Sequence, residues 1–266
     1  SLALSDAVGR VHLDRRVRVH LDDAANVTRT YRARQQFDVS GEGVRVAVLD
    51  TGIDTTHPDL DDAVVASKDF TGEGLADDPN GHGTHVAGIV AGDGTASDGA
   101  YRGFAPDARL LNARVLGSDG YGRTSDIVAA MEWATEQNAD VVSMSLGGSP
   151  TGPADLLTAA VDNATDNGVT VVTSAGNDGP SARTIGSPGI AESAITVGAT
   201  DDADVVAGFS SRGPTPYADR VKPDLVAPGV RINSTCSANG EDTCRGADGA
   251  GYTTLSGTSM AAPAVS

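Results

Sequence analysis

The sequence predicts an α/β fold with a mostly parallel central sheet and helices on both faces. Short apolar runs bounded by glycine recur from about residue 41 onward, and helical stretches separate them. The runs are near-continuous rather than alternating, as expected for strands buried on both faces. At 266 residues the chain is long enough for one large core.

The elements follow in order. Residues 1–34 stand apart, rich in Arg and Asp, and the alternating runs Val11–Leu13 and Val17–Leu21 read as a hairpin or the end of a small separate module. The boundary is placed after residue 34, leaving 35–266 as the main unit. Val44–Leu49 is the first buried strand, and Val86–Ala91, apolar all round, reads as a buried helix. Leu110–Leu116 is the next strand. Thr124–Gln137 carries Ile127, Val128, Met131 and Ala134 at helical spacing. Val141–Leu146 precedes a second amphipathic helix, Pro153–Asn167, in which Pro153 suits the first helical position and Gly168 the residue just past the end. Val169–Thr173 and Ile195–Val197 complete the expected strands. No run approaches the roughly 18 apolar residues of a membrane span, and there is no internal repeat.

Charge excludes some partners. The 36 acidic and 19 basic residues leave a net charge of −17, which repels nucleic acid and anionic lipid. The skew within each sign, 30 Asp to 6 Glu and 17 Arg to 2 Lys (Lys68 and Lys222), points to adaptation to high salt, with a GC-rich genome and drift as the alternative. Screening at molar salt shortens the Debye length to about 3 Å and removes most of the self-repulsion. Cys236 and Cys244 enclose a short polar loop that a local disulfide can close in an exported protein; free thiols are the alternative.

Open parallel sheets bind ligands beyond the carboxyl ends of their strands, which directs attention to Asp50-Thr51-Gly52, Ser145-Leu146-Gly147 and Ser174-Ala175-Gly176-Asn177. Asp50 serves either as a turn cap or as a carboxylate held by donors. His82 and His85 open the buried helix among small residues, where a base can approach a nucleophile closely. Alternatively His85 is structural, or both rings bind metal; the i, i+3 spacing without an intervening Glu weighs against zinc. Ser259, between a glycine turn and a run of helix formers, is either an N-cap or a hydroxyl placed where a helix dipole favours developing negative charge.

Together these motifs resemble the subtilisin family of serine proteases. The similar segments are Asp50-Thr-Gly-Ile-Asp, His82-Gly-Thr-His-Val-Ala-Gly, Ser-Ala-Gly-Asn177 and Gly-Thr-Ser259-Met-Ala-Ala-Pro, from about Gly41 to the end. The resemblance implies a serine endopeptidase: Ser259 as nucleophile, His82 as general base and acid, Asp50 orienting His82, and Asn177 with the Ser259 N–H as oxyanion hole. It also implies an extended polypeptide substrate between Gly120-Tyr121-Gly122 and Ser145-Leu146-Gly147, with broad specificity and an apolar side chain preferred at the cleavage position. Asp178 either points into that first pocket or, as most Asp do, outward.

No catalytic cofactor is implied. Structural calcium is common in the family and Asp59 matches a ligand position, but the companion loop with Asp93 and Asp98 differs, so the metal sites are left unassigned. Pro263-Ala264-Val265 replaces the family's Pro-His-Val, and only seven residues follow Ser259, so the expectation is a chain whose C-terminal part is missing. Residues 1–34 would be the end of a pro-segment cut off before Gly41. The implied setting is a secreted monomer whose partners are polypeptide substrates and its own pro-domain. The rival readings are an inactive binding module on the same fold and a metal-dependent hydrolase using His82 and His85.

Overall fold

Successive residues of the first strand feed two different apolar layers. The computed structural model describes residues 24–266 apart from 26, 75, 154, 241–243 and 245–250. In it β1 (Arg45–Asp50) sends Ala47 and Leu49 to one face of the sheet and Val46 and Val48 to the other. Around it lie β2 (Val64–Asp69), β3 (Arg109–Arg114), β4 (Val141–Met144), β5 (Thr170–Ser174), β6 (Ile195–Thr200) and β7 (Leu225–Pro228). They form one seven-stranded sheet in the order β2-β3-β1-β4-β5-β6-β7, with every pairing parallel. The chain passes from β3 on one side of β1 to β4 on the other, so the strand order reverses at β1 and opens a crevice at its carboxyl end.

Among the described residues, the helices that accompany the sheet include α1 (Thr30–Phe37), α2 (His82–Ala91), α3 (Thr124–Glu136), α4 (Leu156–Asp166) and the short α5 (Thr258–Ala261). Ile127, Met131 and Trp133 of α3 and Leu157 and Val161 of α4 cover Ala47, Leu49, Leu111 and Met144. On the opposite face α2 and Met260 of α5 cover Val46, Val48 and Leu110. Both faces are therefore covered, as the sequence predicts. Every residue of α2 after His82 is buried, because a second layer lies over it: the antiparallel pair β8 (Ile232–Thr235) and β9 (Tyr252–Leu255). Ser234 and Thr235 donate from this pair to the carbonyls of His85 and Thr84.

Two expectations change. Pro153 is not the first helical residue: α4 starts at Leu156, because the Asp155 side chain accepts from the Leu157 N–H and caps the helix there. The strands β2, β7, β8 and β9 are additional to those expected. Gly168 does lie just past the α4 C-cap, with φ +88°. The expected hairpin at 11–21 lies outside the described residues. Helix α1 runs through residues 34 and 35, and the Arg34 guanidinium bonds the carbonyls of Gly103 and Phe104. Cys236 and Cys244 are joined in a disulfide, with Cα atoms 5.7 Å apart. No described helix is long and apolar enough to cross a membrane.

Candidate active site

The crevice at the end of β1 gathers side chains from four distant segments. Asp50 is the last residue of β1, and the chain then turns sharply through Thr51 and Gly52. Helix α2 presses onto this turn: a β-carbon on Gly83 would lie 2.1 Å from the Gly52 carbonyl oxygen, so only glycine fits. The first residue of α2 thereby meets the strand end, and His82 Nδ1 lies 2.7 Å from Asp50 Oδ1. A carboxylate only accepts, so Nδ1 carries the proton and Nε2 is left as the basic atom. The Thr51 N–H also donates to Asp50 Oδ1, whereas Oδ2 is buried with no hydrogen-bond partner.

Burial pulls the His82 imidazole downward, but the Asp50 charge, the hydrogen bond to it and the Asp78 charge outweigh that effect. The ring therefore titrates above its ordinary 6.5. His85 behaves oppositely. Its Nε2 lies 3.2 Å from the Ile232 carbonyl and 3.1 Å from that of Thr253, and burial, helped by the His82 charge, pushes it down to about 3. It is a neutral ring tying α2 to the β8–β9 pair. The two histidines thus serve different partners, which removes the reading of them as a paired metal site.

Asp78 was not singled out in the sequence. It is fully buried, and its carboxylate accepts from Thr51 Oγ1, Asn80 N, Gly81 N, Thr84 N and Thr84 Oγ1. Burial raises its carboxyl against the pull of these donors. One side chain thus binds the turn after Asp50 to the first turn of the helix that carries His82. The signal that hid it is Asp-Pro-Asn-Gly, which reads as an ordinary turn.

Ser259 is the second residue of α5. Its Oγ donates to the Ser145 carbonyl at 3.1 Å, so the structure brings it to the end of β4 rather than into a bond with His82. Asn177 follows β5, and its Oδ1 accepts from Thr258 N at 2.9 Å and Thr258 Oγ1 at 3.0 Å. These bonds fix the amide with Nδ2 as a donor. A β-carbon on Gly257 would lie 3.6 Å from both Asn177 Nδ2 and Ser259 N, so the two donors border the same small space.

The expected substrate-binding residues take two forms. Ser145 and Leu146 are buried at the end of β4, while Gly147 is exposed. Gly148 beyond them exchanges two backbone hydrogen bonds with Ser187. Ser187 Oγ in turn donates to the buried Asp155 carboxylate at 2.6 Å. Gly186, also not anticipated, lies between this edge and Ala175: a β-carbon there would be 3.1 Å from the Gly148 carbonyl oxygen. Gly120 and Gly122 belong to a tight turn in which Gly117 donates to the Tyr121 carbonyl, and the Tyr121 side chain is exposed. Asp178 is exposed, and its N–H donates to Ser211 Oγ.

The acidic loop residues do not form a calcium cage as they stand. Asp59 Oδ1 accepts from Ala96 N and Oδ2 from the Tyr252 hydroxyl, while Asp93 closes a turn on Thr95 and Asp98 sits in a left-handed conformation. A calcium ion takes six to eight oxygens, and the carboxylate oxygens of Asp59 and Asp93 already accept from N–H and O–H donors. Among the described residues no three His, Cys, Asp or Glu side chains are arranged to hold a metal.

Residues 41–266 match the sequence profile of the subtilase family. The chain belongs to that family. It is 42% identical to serine protease AprX of Bacillus subtilis (strain 168) across 96% of its own length. It is 43% identical to subtilisin DY of Bacillus licheniformis across 85% of its length and 74% of that relative. This subtilase spans 63% of AprX and 54% of the subtilisin of Bacillus sp. (strain TA39), to which it is 42% identical across 84% of its own residues. Among solved structures, sphericase superimposes with a TM-score of 0.73 at 38% identity, covering 85% of this chain and 76% of that one. A cold adapted subtilisin-like serine proteinase gives 0.69 at 32%, covering 96% and 78%. The subtilase fold accounts for the parallel sheet and for the meeting of β1, α2, β5 and α5 at one crevice.

Proposed function

We propose that this chain is a serine endopeptidase. The observation that carries the reading is the 2.7 Å contact between Asp50 and His82 at the carboxyl end of the central strand. Ser259 Oγ attacks the scissile carbonyl, and the hydroxyl proton passes to His82 Nε2. Asp50, its oxygen bonded to Nδ1, holds the tautomer and stabilises the imidazolium. Negative charge on the carbonyl oxygen is met by Asn177 Nδ2 and the Ser259 N–H. His82 then protonates the leaving amine, and water repeats the sequence to release the acyl group.

The substrate is an extended polypeptide lying between Gly120–Gly122 and Ser145–Gly147, held mainly through its backbone, which makes cleavage broad. Leu146 favours an apolar side chain at the cleavage position. Residues 1–34 are the end of a pro-segment, removed ahead of Gly41, where the family match begins. The enzyme is exported and works as a monomer in high salt; the disulfide and the charge of −17 support this setting.

Labelling by a fluorophosphonate probe, at low salt and in molar NaCl, tests the assignment against Ser259→Ala. Labelling that requires Ser259 is expected, and stronger labelling at high salt. Folded protein that is free of its pro-segment and takes no label would instead be an inactive binding module.

A further inference from the structure

We propose that the loop closed by Cys236 and Cys244 is a positioning element for His82, and that the intact bridge keeps the catalytic geometry in register. This rests on the endopeptidase reading for its kinetic consequences, though not for its structural ones.

Residues 71–81, which lead into His82, contain no described helix or strand, so their position depends on what they touch. Four consecutive residues of the bridged loop hold this segment and the turn beside it. Ser237, buried, donates from Oγ to the Asp78 carbonyl at 2.7 Å. The Ala238 N–H donates to Asp54 Oδ2 at 2.8 Å, and Asn239 Nδ2 donates to Asp77 Oδ2 at 3.0 Å. Gly240 packs so tightly that a β-carbon would lie 3.0 Å from Gly81 Cα and 3.2 Å from the Asn80 carbonyl oxygen.

Gly81 is the N-cap of α2, and Asp78 is the carboxylate that joins that helix to the turn after Asp50. The bridged loop therefore grips the backbone of the residue whose side chain aligns the Asp50–His82 pair. Cys236 itself is buried and extends the β8–β9 pairing, its N–H donating to the Gly251 carbonyl, which anchors the near end of the loop. Cutting the bridge takes two electrons and two protons from an added dithiol, which is itself oxidised to a disulfide, and leaves two thiols. The far end of the loop is then released, and Ser237–Gly240 lose the constraint that presses them on 77–81.

A bridge that only shortened the unfolded chain's reach would raise stability and leave His82 unaffected. The two roles separate by NMR titration of the His82 imidazole in the full chain carrying Ser259→Ala, which prevents self-digestion. The titration is followed with the bridge intact, after reduction, and in the Cys236→Ser/Cys244→Ser pair. Asp50 and Asp78 are the charges that raise this ring, so His82 is expected above 6.5 when the bridge is present and nearer 6.5 without it.

In the chain with Ser259 present, loss of the bridge is expected to lower kcat about 10- to 100-fold with KM within about twofold, the scale of a small misplacement. Ser237→Ala, which keeps the bridge, is expected to move both readouts the same way, and Ser237→Thr to restore them. If the bridge-free chain does not fold, Ser237→Ala decides. An unchanged His82 titration and kcat, with only a lower melting temperature, would overturn the proposal. If the intact chain has no turnover, the endopeptidase reading fails, and the titration alone decides this one.

Discussion

Ser145 and Ser259 exchange two hydrogen bonds. Ser145 Oγ donates to the Ser259 carbonyl at 2.8 Å, and Ser259 Oγ donates to the Ser145 carbonyl at 3.1 Å. The first bond has a reason in the sequence. In a continuing helix the Ser259 carbonyl would accept from the N–H four residues on, and that residue is Pro263, which has none. Ser145 supplies the missing donor and pins α5 to the end of β4. Ser145→Ala is expected to cost about 1–3 kcal/mol, the penalty of an acceptor left without a partner, measured by the denaturant midpoint.

Asn177 has separable duties, since Oδ1 anchors Thr258 while Nδ2 faces the space beside Gly257. Asn177→Asp keeps the acceptor and removes the donor. If Nδ2 is the proposed oxyanion donor, the variant's melting temperature is expected to stay near that of the parent while kcat falls about 100- to 1,000-fold, the scale of losing one such donor in subtilisin. A rate within threefold of the parent would remove Asn177 from the oxyanion hole.

The raised His82 pKa makes activity and one part of stability respond oppositely to pH. The proposed mechanism needs the neutral ring as base, so kcat/KM is expected to climb as pH rises through a value above 6.5. The imidazolium–Asp50 attraction is fully present below the unfolded pKa and is lost as pH rises through the folded one. Asp50→Asn should erase that loss from the stability profile and move the activity limb down. Parallel denaturation and rate profiles in both proteins would show it.

His85 gives the opposite slope. Its folded pKa, about 3, lies below that of the unfolded chain, so its contribution is present above 6.5 and lost as pH falls toward 3. Replacing it with Gln, which can still donate to the Ile232 and Thr253 carbonyls, is expected to flatten stability between those limits. An unaltered acid limb would show that other groups control it.

The charge of −17 predicts a melting temperature that rises from dilute buffer to molar NaCl. Thermal denaturation monitored by circular dichroism checks this, and an unmoved transition would rule out the adaptation to salt.

What the sequence showed depended on how each segment is buried. Val46–Leu49 is apolar on both faces and read at once as a strand. In β2, Val65 is exposed and Lys68 interrupts the run, so no period stands out. Strands β8 and β9 bury Asn233, Ser234, Thr235 and Thr253, polar residues whose partners come from α2 or from each other and cannot be seen locally. The strand-end motifs at Asp50 and Asn177 were legible because glycines mark sharp turns. Asp78 was not, since its five donors are collected only when the β1 turn and α2 meet. The Ser145–Ser259 exchange was equally hidden, being a pairing across more than a hundred residues.

Separation along the chain also orders the assembly of the proposed site during synthesis. Ser259 is made about 200 residues after Asp50, on the order of 10–40 s later at ordinary translation rates. The β4 end that receives α5 is made well before α5 itself. Under the endopeptidase reading, a nascent chain at that stage carries a base and its carboxylate without a nucleophile, and self-cleavage waits until α5 reaches its dock.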